Sequence, residues 1–203
     1  VRVIDVLYTE VKEFMNMPDA NLRKYTYEDY EQWEGRWELI QGIPYNMTPA
    51  LSTKHQYAVG ELYGHLRAFF SSRGCHVFVA PFDVRFSETD DYSQADTVVQ
   101  PDISVFCHRK QLDQSGAKGA PSLTVEVLSP STAVKDRNKK FKLYEKYGVK
   151  EYWIVDPVHE TVEIYNLQEG NYHLGEVYGT EQILQSIHWE ELQIPIESLF
   201  LSF

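Results

Sequence analysis

The sequence predicts a mixed α/β fold, a β-sheet with helices packed against it. Three observations carry this. Helix-period and strand-type segments alternate along the chain instead of clustering by type. The candidates at 97–106, 123–128 and 151–156 are strand-like runs rich in β-branched and aliphatic residues. The most regular helical stripe, over 54–72, falls between strand candidates. A chain of 203 residues suits a domain with a core of ordinary size. Residues 1–24, mixed in polarity and without a clear period, read as an arm of helix or coil beside a domain spanning 25–203.

Taken in order, Thr26 and Asp29 make a capping-box pattern for a short helix over 27–33, closed by Gly35. Residues 37–40 and 43–47 flank Gln41-Gly42 and predict a hairpin. Past a loop at 48–52, Ser52 or Thr53 caps the 54–72 helix, whose Tyr57, Val59, Leu62, Leu66, Phe69 and Phe70 share a face. A strand over 76–86 is interrupted at Pro81, which suits an edge or a bulge. Residues 87–96 are an acidic loop, and a polar loop at 110–120 separates the strands 97–106 and 123–128. Ser129-Pro-Ser-Thr132 caps a helix over 133–147, stopped by Gly148. The strand 151–156 ends at Pro157, with Asp156 as a turn former. Segments 161–166 and 172–178 pair around Gly170, and the tail from Ile183 holds one more strand and a turn that includes Ile187-His-Trp189.

Bulk properties exclude several classes. No apolar run approaches the roughly 18 residues that span a bilayer, and no basic-then-apolar leader is present, so the expected location is the cytoplasm, with no membrane partner. Cys75 and Cys107 have no partner cysteine or histidine at ligand spacing and read as core thiols. A net charge of −11 argues against a protein that coats nucleic acid through clustered Lys and Arg, but it allows a local basic cleft. Residues 135–142 are the strongly basic stretch, and they follow Glu126 closely.

Asp102 and Glu126 sit in runs of β-branched and aliphatic residues. Carboxylates placed so would lose hydration on folding, and on neighbouring strands they would repel unless a cation lay between them. Oxygen ligands of this kind suit a hard ion such as Mg²⁺. In the following helix Asp136, Lys140 and Tyr144 fall at i, i+4 and i+8 on one stripe. Its plain reading is a solvated salt-bridge face. Its functional reading turns the stripe toward the metal, where Lys140 orients an attacking water or stabilises charge on phosphorus. Tyr152 and Trp153 read as core or interface residues, and Asp83 with Arg85 as a structural pair.

At this point the residues resemble a family. Pro101-Asp102, Glu126-Val-Leu-Ser-Pro130, Asp136-x-x-x-Lys140-x-x-x-Tyr144 and Gly148-Val-x-Glu-Tyr-Trp-Ile-Val-Asp-Pro157 are similar to the Uma-two group. That group is a branch of the PD-(D/E)XK restriction-endonuclease-like superfamily. Trp37-Glu-Leu-Ile-x-Gly42 and His55 look like its early motifs, so the resemblance covers roughly 25–200. It implies an α/β restriction-endonuclease-like core, a mixed β-sheet flanked by α-helices. It implies Asp102 and Glu126 as ligands of Mg²⁺ or Mn²⁺, with the Val127 backbone carbonyl completing the protein's share. The superfamily's catalytic lysine would fall at position 128, which here is Leu128; Lys140 on the next helix is the best-placed substitute, with Lys142 pointing elsewhere and Lys139 off by one. Glu38 is the implied third acid, against the reading of an ordinary exposed strand carboxylate. His55 either contacts phosphate or caps the helix backbone. The expected function is a Mg²⁺-dependent endonuclease acting on DNA, as a homodimer. The alternatives are a catalytically inactive nucleic-acid-binding or regulatory module with the same fold, and a structural or interaction protein whose carboxylates pair with Lys140 and Arg137.

Overall fold

The computed structural model describes residues 24–47, 52–130 and 132–201. The expected arm, apart from Lys24, lies outside these residues. Along the chain the elements are α1 (Tyr27–Tyr30), β1 (Trp37–Ile40), β2 (Ile43–Asn46), α2 (Thr53–Phe70), β3 (His76–Val79), β4 (Val84–Phe86), β5 (Thr97–Val99), β6 (Ile103–Phe106), β7 (Leu112–Asp113), β8 (Gly116–Lys118) and β9 (Leu123–Val127). Then follow α3 (Ala133–Lys135), a π turn (Asp136–Lys140), α4 (Phe141–Tyr147), β10 (Glu151–Asp156), β11 (Thr161–Gln168), β12 (Asn171–Tyr178), β13 (Ile183–Gln185) and β14 (Gln193–Pro195). None of the described helices is long and apolar enough to cross a membrane.

These elements form two compact units, one from residues 24–47 and 83–100, the other from 52–82 and 101–201. In the smaller unit the antiparallel strands run β2-β1-β5-β4. Gln41 and Gly42 take positive φ of 53° and 78°, the conformation a two-residue hairpin turn requires. Asp29 accepts the Thr26 N–H at 3.1 Å, the expected helix-start contact. The helix itself is shorter than expected, because Gln32 and Trp33 bond three residues back, to Asp29 and Tyr30. Its core gathers Tyr25, Tyr27, Leu39, Ala95 and Val98.

The larger unit is built on a mixed sheet ordered β12-β11-β10-β9-β6-β3. Its parallel pair is β9 and β10, joined by the helical crossover that parallel strands need. Ser52 caps α2 by accepting the His55 N–H at 3.2 Å. The buried face of α2 is His55, Ala58, Leu62, Leu66 and Phe70, so Tyr57, Val59 and Phe69 flank it and do not centre it. That face packs on Ile103, Val105, Leu123, Val125, Val127, Trp153 and Val155. The alternate residues of β9 and β10 project to the sheet's other side, where Phe141 and Tyr144 meet the Tyr152 ring. Both sides of β9 are thus covered, and all five of its residues are buried.

Several expectations are revised. The run 97–106 is two strands in two different units, broken at Gln100-Pro101-Asp102; Pro101 has no N–H to give a ladder. The run 76–86 likewise divides into β3 and β4 around Pro81, with β3 on the sheet edge as expected. The loop 110–120 contains the small β7–β8 hairpin, and the tail pairs β13 with β14 where one strand was expected. The helix 133–147 is interrupted by the π turn. Cys75 and Cys107 are not thiols but a disulfide. The β3–β6 register that pairs His76 with Phe106, carried one residue further, sets the two cysteines opposite each other, with their Cα atoms 4.0 Å apart.

Candidate functional site

The register of β6 and β9 builds the site. Ile103 pairs with Val125 across this antiparallel ladder. The ladder ends at that pair: Asp102 precedes Ile103 in a bend and Glu126 follows Val125 in β9, so both carboxylates stand at the same end of it. The backbone break at Pro101 leaves Asp102 at the strand mouth, where its side chain is 15% exposed. Its Oδ2 accepts the Val127 N–H at 2.8 Å and lies 3.3 Å from His55 Nε2. His55 therefore does not use its ring as a helix cap; Ser52 does the capping.

Glu126, mid-strand in β9, is enclosed. Lys140 Nζ donates to its Oε1 at 2.9 Å, and the Tyr144 hydroxyl donates to the same oxygen at 2.6 Å. Asp136 Oδ1 is 3.8 Å from Lys140 Nζ. Asp136, Lys140 and Tyr144 are all buried, so the reading of a solvated salt-bridge face fails. The stripe turns inward because the π turn hands the Asp136 carbonyl to the Phe141 N–H five residues on, and the Tyr152 hydroxyl reaches that same carbonyl at 3.3 Å. Such π turns recur at functional sites. Lys139 and Lys142 are exposed, as the spacing predicts. Arg137 pairs with Glu163 at 2.7 Å and takes no part. Burial, and then the charges of Glu126 and Asp136, with a smaller push from Asp102, drive the Tyr152 phenol well above its ordinary range. Tyr152 thus packs its phenol beside these carboxylates and bonds the π turn, beyond the core packing read from sequence.

Two carboxylates, Glu126 and Asp136, here face one lysine, and Asp102 stands at the same end of the β6–β9 ladder as Glu126. Among the described residues, no three His, Cys, Asp or Glu side chains cluster as a metal site. Asp102, Glu126 and the Val127 carbonyl are the groups that would hold a hard cation such as Mg²⁺, with waters completing a sparse oxygen shell. Glu38 belongs to the smaller unit. It is buried there, contrary to the reading of an exposed strand carboxylate, and its Oε1 accepts the Gln100 N–H at 3.0 Å. Asp83 is held by Tyr30 and Gln100, at 3.0 and 2.9 Å, more closely than by Arg85. Asp156 ends β10 as expected, accepting the Val158 and His159 N–H groups.

Residues 27–197 match the model of a family described as "Putative restriction endonuclease", Uma2. The chain belongs to the Uma2 family. Two uncharacterised proteins of Synechocystis sp. (strain ATCC 27184 / PCC 6803 / Kazusa) are similar to it. One is 26% identical over 167 residues, 73% of this chain and 77% of the relative. The other is 30% identical over 136 residues, 66% of this chain and 74% of the relative. A crystal structure from Anabaena variabilis ATCC 29413, described as "a putative nuclease belonging to DUF820", superposes with a TM-score of 0.68 at 23% identity, over 86% of this chain and 97% of that one. The Uma2 chain therefore shares its mixed α/β fold with that protein. All the motif residues quoted for the resemblance lie inside the matched region.

Proposed function

We propose that this Uma2 protein is a Mg²⁺- or Mn²⁺-dependent endonuclease that hydrolyses phosphodiester bonds in DNA. The observation that carries the reading is that Asp102 and Glu126 stand at one end of the β6–β9 ladder, with Lys140 buried against Glu126. The donor set fits a hard divalent ion: two carboxylate side chains plus the Val127 carbonyl. The Val127 N–H points at Asp102, and an extended residue sends its N–H and C=O to the same side of the strand. A divalent ion held there would polarise a phosphate oxygen and acidify a water. Lys140 supplies a fixed ammonium beside the reacting phosphate, in a site from which bulk water is largely excluded. Tyr144 holds the Glu126 carboxylate in place through its short hydrogen bond. Asp136 keeps the lysine Nζ on the sheet side of the helix.

The same helix explains how an acidic chain meets a polyanion. Its inner face carries Asp136, Lys140 and Tyr144, and its outer face exposes Arg137, Lys139, Lys142 and Lys146. Arg137 is paired with Glu163, and the three lysines make a local basic strip on a chain of net charge −11. A homodimer, with one such site per strand, and a cytoplasmic location complete the reading. The Cys75–Cys107 disulfide weighs against the cytoplasm, where thiols are kept reduced.

The test is cleavage of supercoiled and linear duplex DNA, and of RNA, with Mg²⁺, Mn²⁺ or EDTA. Metal-dependent nicking that disappears in both Asp102→Asn and Glu126→Gln is expected. Thermal melts are expected to show about 2.7 kcal/mol of stabilisation at a hundredfold excess of metal over its dissociation constant. Cleavage by either variant at the native rate would overturn the assignment. Salt-sensitive DNA binding with no metal response would favour the inactive module.

A further inference from the structure

We infer that His55 is the positioning residue that aims Asp102 at the metal, an inference that rests on the metal-dependent reading above. Ser52 already caps α2, so the His55 imidazole is not needed there. The ring is 2% exposed, and its Nε2 lies 3.3 Å from Asp102 Oδ2. The Val127 N–H donates to that same oxygen at 2.8 Å. A backbone N–H from β9 and an imidazole nitrogen from α2 therefore converge on one carboxylate oxygen.

The consequence is orientational. A carboxylate rotates readily about its last torsion, and the Val127 N–H together with the imidazole packed against Oδ2 restricts that rotation. The backbone carbonyl of Asp102 is fixed as well, by the Ala80 N–H at 3.1 Å. No donor among the described residues reaches Oδ1, which is left for the cation. A favourable contact with the Oδ2 carboxylate requires the proton on Nε2. Nδ1 is then buried, with no hydrogen-bond partner among the described residues.

That orphaned nitrogen argues against a packing role. Ala58 and Leu62, one and two turns further along the same face, are apolar, and an apolar residue at position 55 would leave no polar atom unsatisfied. Groups that hydrogen-bond a metal's ligands typically change metal affinity about 10- to 100-fold when removed.

The experiment is calorimetric titration of Mn²⁺ into metal-free protein without nucleic acid, on the wild type and on His55→Leu, His55→Gln, His55→Asn and Asp102→Asn, with melting curves for each. His55→Leu should weaken Mn²⁺ about 10- to 100-fold without lowering the melting temperature. His55→Gln, which carries an N–H near the Nε2 position, should recover most of the loss, and His55→Asn, too short to reach it, should not. Native Mn²⁺ affinity in the leucine variant, or glutamine no better than asparagine, would overturn the role of His55. If the leucine variant does not fold, the glutamine–asparagine contrast decides. Undiminished Mn²⁺ binding by Asp102→Asn would instead sink the metal reading itself.

Discussion

Lys140 and Glu126 form a buried ion pair, Nζ to Oε1 2.9 Å, across a crossover in which a π turn replaces regular helix. Both side chains are almost wholly withdrawn from water, so neither charge is solvated if the other is lost. Two carboxylates at one strand end, viewed in isolation, suggest that neutralising either one relieves repulsion. The pairing reverses that expectation for Glu126. Glu126→Gln should destabilise the metal-free protein by about 3 kcal/mol, since removing one partner of a buried pair strands the other. Lys140→Met should cost a similar amount, and the double variant markedly less than the sum. Urea melts of the four proteins measure this. Additive losses would mean the pair contributes nothing as a unit.

The same lysine has a kinetic signature. Lys140→Ala should lower kcat by about 10²- to 10³-fold, as for loss of one fixed charge stabiliser, while Mn²⁺ affinity changes little. Lys142→Ala is the control, since that side chain is exposed. Equal losses in the two variants would shift the effect from the buried ammonium to the helix's outer charge.

The site was more legible in the sequence than the sheet around it, and the reason is distance along the chain. Glu126 and its partners Lys140 and Tyr144 lie 14 and 18 residues apart, within a single strand–turn–helix unit. Local spacing predicts such a meeting. The pairing of Cys75 with Cys107 depends instead on the β3–β6 register, across a separation of 32, and spacing alone carries no register. The break at 100–102 did have a visible cause in Pro101, but the apolar run on either side of it masked the division between units. The strands β7, β8, β13 and β14 have only two or three residues each, too few for alternation to register. The π turn has no compositional mark at all. Glu151 also passed unnoticed. It is buried at the start of β10 and accepts from Trp153 Nε1, Ser186 Oγ and the Ile187 and His188 N–H groups, fastening the tail to the sheet.

Asp83 gives a pH-dependent prediction. Burial holds its carboxyl above the ordinary range, opposed by hydrogen bonds from Gln100 and Tyr30 and by the charge of Arg85. The folded protein thus binds this proton more tightly than the unfolded chain does. Stability contributed by the protonated form is lost as pH rises from the unfolded value through the folded one, and the loss persists at neutral pH. Asn at this position keeps the Oδ1 acceptor that Tyr30 and Gln100 use. Asp83→Asn should therefore be more stable than the wild type at pH 7, with the two converging below about pH 4. A variant less stable at pH 7 would show that the ionised form is favoured.

The disulfide gives the last prediction. It ties β3 to β6 at the end of the ladder opposite Asp102, in the same cluster as Phe70 and Val105. Closing a loop of this separation restricts the unfolded chain, a stabilisation of about 3–4 kcal/mol in the chain-entropy account. In air-oxidised protein, a thiol reagent in denaturant should find no reactive cysteine, and two after reduction. Reduction should lower the melting temperature by about 10 °C, and a Cys75→Ser, Cys107→Ser double variant should melt with the reduced protein. Because the bond lies away from the Asp102 end of β6, reduction should leave the metal-dependent melting shift intact. Two reactive thiols in the oxidised protein would return both cysteines to the core, and loss of the metal shift on reduction would show that the bond supports the carboxylate pair as well as the sheet.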